Sequence, residues 1–223
     1  MGSISANKLG GLALMFAPVI TLILYFLQPG GAFIDAANPA SAQESIVALI
    51  SNAGLGKVVS VLIPLGLLTF VYGIFVLQNN IRSNGNGDAL SRLGALLLLV
   101  GVIGWVTGSS VSLAIAGAAE HGAAAVIGAY SALYGVTVAI GTISGILWGI
   151  GILLFALAMS TRDDSNKIVN LVAAVAAIVA VVVVIIGGLD TSQLQNMQTI
   201  VGITYIVHVV WLFLLGMKLM KAE

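Results

Sequence analysis

The sequence predicts an all-α integral membrane protein with six transmembrane helices and both termini cytoplasmic. Three observations predict it: a composition too apolar for water, six runs long enough to cross a bilayer, and basic residues that fall on one side when those runs alternate in direction. Hydrophobic residues make up 60% of the chain and charged residues 7%, where a soluble domain holds about 45–50% and about 25%. Eight basic and eight acidic side chains cannot cover a water-exposed surface without leaving large apolar patches, so lipid has to be the solvent. The net charge of zero lacks the clustered Lys and Arg excess that phosphate binding needs, and nucleic acid is excluded as a partner. Cysteine is absent, which excludes disulfides, thiolate catalysis and Cys-ligated metal.

A spanning helix needs about 20 apolar residues, because each residue rises about 1.5 Å and the hydrocarbon core is about 30 Å thick. The first run, residues 9–28, follows Lys8. The cleavage-like Ala40-Ser41-Ala42 lies too far downstream for a signal peptide, so the run is read as a retained helix. Ala6 stands where N-myristoylation takes Ser or Thr, and no lipid anchor is expected. The long outer loop then opens on Pro29-Gly30-Gly31, and a short helix is predicted over residues 42–50 after Asn38-Pro39. The second span covers residues 58–77, an Asn- and Gly-rich inner connection follows, and the third span covers residues 93–118.

The apolar stretch from Gly122 to Ser160 would measure on the order of 60 Å as one helix, so a division is predicted. Residues 123–134 are expected along the outer surface, interfacial or re-entrant, and the fourth span over residues 136–158. The fifth and sixth spans cover residues 168–188 and 199–219, separated from the fourth by the solvated hairpin end Arg162-Asp163-Asp164. With six spans Lys8, Arg82, Arg92, Arg162, Lys167, Lys218 and Lys221 share one side and Lys57 stands alone on the other. Basic residues of short loops stay cytoplasmic, which sets the expected orientation in a cell membrane and disfavours a seventh crossing. The Ala-, Gly-, Val- and Leu-rich composition resembles that of many six-span prokaryotic inner-membrane proteins, without a motif that would carry functional residues across. Gly66-Leu67-Leu68-Thr69, Gly145-Ile146-Leu147-Trp148 and Gly202-Ile203-Thr204-Tyr205 sketch a threefold repeat of hairpins, a pattern that any Leu- and Gly-rich helices partly share.

Small residues recur every four positions at Gly104, Gly108, Ser112 and Ala116 of the third span and at Thr137, Gly141, Gly145 and Gly149 of the fourth. Such stripes let backbones approach, here either the third span against the fourth or this chain against a partner. His208 lies mid-span on a face with Thr204 and Trp211, at a depth where a polar group marks either interhelical hydrogen bonding or function. Pro18 and Pro64 are expected to kink the first two spans, with Thr21 and Ser60 nearby. Glu120 and His121 form the weak metal candidate at the outer end of the third span, with Asp35, Glu44 and Asp190 in neighbouring loops. No charged residue lies at membrane depth, Lys218 standing at the end of its span. Proton pumping, voltage sensing and retinal binding all need one there. Ser109, Ser110 and Ser112 have no partner motif for hydrolysis.

Three functions fit these residues, with no cofactor expected and no catalytic residue assigned. The first is a non-catalytic structural or accessory subunit, packing with other membrane proteins or with itself through Gly104, Gly108, Ser112, Gly141, Gly145 and Gly149 and through its outer loop helices. The second is a channel or facilitator for a small neutral solute, with Thr69, Tyr72, Tyr205 and His208 as a candidate polar path. The third is a metal-dependent membrane enzyme subunit using Glu120 and His121, with His208 as a further candidate.

Overall fold

A computed structural model describes residues 4–83 and 86–221. Seven α-helices follow in order: α1 Ala6–Phe26, α2 Ala42–Ser51, α3 Ala53–Ser83, α4 Asp88–Gly117, α5 Ala123–Ser160, α6 Lys167–Leu189 and α7 Leu194–Met220. All but the short α2 are long and apolar enough to cross a membrane, which gives six candidate spans. Local chemistry starts several of them. The Ser5 hydroxyl accepts from the Lys8 amide at the head of α1, Ser41 does the same for Glu44 at α2, and the Asn166 side chain accepts two amides of α6. Gly87, with φ at +90°, turns the chain into α4. A Cβ there would lie 2.7 Å from the Ala158 carbonyl oxygen, so only glycine fits.

The six long helices close into a ring in chain order, α1–α3–α4–α5–α6–α7 and back to α1, each packing chiefly on its two neighbours. Leu65, Leu96, Ile143, Val175, Ile203 and Val210 are among the large apolar side chains left exposed. In lipid they stay in an apolar medium, so their exposure costs nothing comparable to that in water. The core fills the half of the ring nearest the chain termini, with Leu14, Ile74, Leu98, Ile152, Phe155 and Leu212 all within 1% of full burial.

That half is also tied by polar groups. The Arg92 guanidinium pairs with Asp88 at 2.9 Å, and the Gln78 amide donates to the same carboxylate across the α3–α4 connection. Asp164, between α5 and α6, pairs with Arg162 at 3.0 Å and with Lys218 of α7 at 2.9 Å. The Arg162 hydrogen bond, helped by Lys218, holds the Asp164 carboxyl below its ordinary range against a smaller opposing desolvation. Seven of the eight basic residues belong to this end.

One expectation is corrected. The stretch predicted to divide near Tyr134 is a single unbroken helix, α5, of 38 residues. A helix of this length overruns a bilayer only where lipid has to cover all of it. Its first turns instead pack on α2 and the end of α4, where Ile46, Leu49, Ile115, Ala118 and Val126 form a second buried cluster. The Tyr134 hydroxyl fixes the contact, 2.8 Å from the Ser45 hydroxyl and 3.1 Å from the Pro39 carbonyl oxygen. Neither Pro18 nor Pro64 interrupts its helix.

Candidate functional site

Away from the termini the ring does not close on itself. A cavity of about 360 Å³ lies there, bounded by all six long helices. Small residues make the space. Gly104, Gly108 and Ser112 of α4 and Gly141 and Gly145 of α5 line it, and a Cβ built on Gly141 would meet nothing within 4 Å. The same stripes also pack, but not as a single seam. Gly104 abuts Ser144 and Gly108 lies against the Thr137 methyl of α5, whereas Gly145 and Gly149 meet Val184 and Val181 of α6. The close α4–α5 approach belongs to other glycines: Cβ positions on Gly94 and Gly101 fall 2.9 Å from the carbonyl oxygens of Gly151 and Ser144.

Aromatic side chains from four helices floor the cavity. Phe70 of α3 stands 4.8 Å from Trp148 of α5 between ring centroids, and Trp105 of α4 stands 5.1 Å from the same indole. Tyr205 of α7 meets Trp105 and Trp148 edge-on at 5.9 and 6.1 Å, and His208 lies one turn below it. Edge-on and tilted contacts at these separations are attractive, so the floor holds itself together. By helical rise His208 is about 21 Å from the start of α7. Nearer the mouth the wall carries Tyr25, Gln28, Tyr134 and Gln198.

The polar atoms around the floor are left without partners. Trp148 Nε1, both ring nitrogens of His208 and the Thr21 hydroxyl are buried and make no hydrogen bond among the described residues. His208 is 1% exposed and Trp148 7%. The Ala173 carbonyl of α6 faces His208 without reaching hydrogen-bond geometry. Leaving such groups unsatisfied costs about 1–3 kcal/mol each, and native proteins rarely tolerate them without a reason. Trp211, one turn from His208, shows the ordinary outcome: its Nε1–H donates to the Asn170 side chain of α6 at 3.0 Å. Among the described residues none that lines the cavity is charged.

Of the four polar-path candidates, Tyr205 and His208 reach this site. Thr69 and Tyr72 do not: both are exposed on the outside of α3, and the Thr69 hydroxyl donates to the Leu65 carbonyl of its own helix. Glu120 and His121 lie exposed on a 3-10 turn after α4. Among the described residues no three His, Asp or Glu side chains gather as a metal site. The carboxylates expected near them are occupied locally, Asp35 by the Asn52 amide, Glu44 by the Asn38 backbone amide and Asp190 by Ser192. Phe70, Trp105, Trp148 and Thr21 are the residues that sequence reasoning passed over. Two of them carried a signal, because Trp105 and Trp148 lie deep in their spans whereas tryptophan ordinarily concentrates at the two interfaces.

No family model matches this chain, and no curated protein and no solved structure matches it.

Proposed function

We propose that this chain is a membrane-embedded binding protein for a small uncharged solute, and that its cavity is the outer half of a route across the bilayer. The observation that carries the reading is the cavity itself: about 360 Å³, bounded by every long helix, uncharged, with unpartnered polar atoms at its floor. Ligand sites are typically of this kind, apolar and aromatic with a few convergent polar groups, in the range of about 300–1,000 Å³. The packed core beneath the floor is the barrier that a crossing solute has to open. The basic residues gathered at the far end support an orientation with both termini cytoplasmic and the cavity facing out. The small-residue stripes that an accessory role would use face α5, α6 and the cavity, while the outer helix α2 stays available to a partner under that alternative reading.

The test is a panel of small uncharged solutes, polyols, amides and aromatics, assayed for thermal stabilisation of the purified protein and for flux into proteoliposomes. At least one solute is expected to do both. Gly141→Leu, whose Cβ would meet nothing within 4 Å, places a branched side chain at the cavity wall and is expected to remove both effects. Stabilisation that survives Gly141→Leu, or a panel with no binder, would overturn the proposal.

A further inference from the structure

Resting on that reading, we infer that the cavity floor selects a flat, uncharged ring carrying a carbonyl-type hydrogen-bond acceptor, held by the Trp148 indole N–H and by His208. Among the described residues the cavity lining supplies neither a cation for an anionic ligand nor a carboxylate for a cationic one. An aromatic cage for a quaternary ammonium would need ring faces held apart around the ion. Here Trp148 stands 4.8 to 6.1 Å from Phe70, Trp105 and Tyr205, and Trp105 stands 5.9 Å from Tyr205, which leaves no such gap around Trp148.

The unpartnered groups narrow the chemistry further. Indole nitrogen is a donor only, so the unpartnered Trp148 Nε1 calls for an acceptor. A neutral imidazole offers one donor and one acceptor, so His208 meets either a second acceptor or a hydroxyl on the same ligand. A quaternary cation or a pure hydrocarbon satisfies neither. A flat body suits the floor, where the rings of Trp105, Trp148 and Tyr205 all line the cavity. A quinone headgroup has this chemistry whether it arrives on a lipid tail from the bilayer or as a small molecule from water.

Naphthoquinone and naphthalene separate the two levels of the proposal, because they share a flat body and only the first carries acceptors. Binding is measured by calorimetry on the detergent-purified protein. Naphthoquinone is expected to bind about tenfold more tightly, with binding of both lost in Gly141→Leu. Trp148→Phe keeps the ring and removes the donor, and is expected to lower naphthoquinone affinity about tenfold while leaving naphthalene unchanged. His208→Phe is expected to act in the same direction. Equal affinity of the two probes for the unaltered protein overturns the acceptor inference and leaves the cavity reading standing, and this comparison does not depend on any variant folding. Failure of both probes to bind overturns the inference. With the solute panel also silent, it takes the cavity reading with it. Displacement by a prenyl-tailed naphthoquinone delivered in liposomes assigns the bilayer as the source, and displacement by the tailless form alone assigns water.

Discussion

The two halves of the ring use the same residue types to opposite ends. In the half nearest the termini glycines bring backbones together: a Cβ on Gly216 would lie 2.5 Å from the Gly11 carbonyl oxygen, and one on Gly151 would lie 3.0 Å from that of Gly94. In the other half Gly104 and Gly108 still meet Ser144 and Thr137, but Gly141 at the cavity wall has nothing within 4 Å of its Cβ position. Polar groups divide the same way. Asn170 satisfies Trp211 and is itself held by Ser165, whereas His208 and Trp148 are left open. A half in which packing and hydrogen bonding are both completed is built for stability. In the other half both are left open at the same place, beside the cavity.

The sharpest way to break this contrast is a pair of glycine substitutions. Gly216→Leu forces α1 from α7 against backbone atoms and is expected to cost about 3 kcal/mol or to prevent folding. Gly141→Leu is expected to be neutral or to stabilise by up to about 1 kcal/mol, as cavity-filling changes do. Unfolding in mixed detergent measures both, and equal losses would erase the distinction between the halves.

A second pair concerns hydrogen bonds. Asn170→Leu strands the Trp211 donor and is expected to destabilise by about 1–3 kcal/mol. His208→Leu removes two nitrogens that have no partner, so stability is expected to hold or to rise by about 1 kcal/mol. A large loss on His208→Leu would assign it to structure rather than to ligand.

The smallest effect belongs to the ion pairs at the basic end. Because the folded Asp164 carboxyl titrates below its unfolded value, its contribution is present above about pH 4 and fades as pH falls through the folded value. Asp164 is half exposed, with 53% of its side-chain surface accessible, so the contribution is expected to stay under about 1 kcal/mol. Asp164→Asn should remove it and flatten the acid limb of the stability profile, a change that salt also reduces.

Much of the architecture could be read from residue pattern. The predicted spans fall within or largely overlap the six long helices, and the short helix predicted over residues 42–50 is α2, because hydropathy, Pro-Gly turns and Ser caps act locally. The undivided α5 was not legible, since the cover for its outer turns comes from Ile46 and Leu49, some eighty residues earlier in the chain. The site was half legible. His208 declared itself as a polar group at depth, but which faces meet across a closed ring depends on long-range packing. Thr69 and Tyr72 therefore looked like partners of Tyr205 while pointing outward. The deep tryptophans were the signal that pattern reading passed over.

The uneven helix lengths carry a consequence for the surrounding lipid. By helical rise α5 is about 57 Å long and α3 and α4 about 45 Å, against about 31 Å for α1 and 34 Å for α6. The rim of the cavity is therefore tall on one side, where α2 buttresses it, and low on the side of α1 and α6. A bilayer matched to the short helices leaves the tall ones standing in the headgroups and beyond, while a thicker bilayer climbs the low side first. Membrane thickness thus sets how much of the mouth meets water and how much meets acyl chains, so the lipid composition of a reconstitution is itself a variable of solute access.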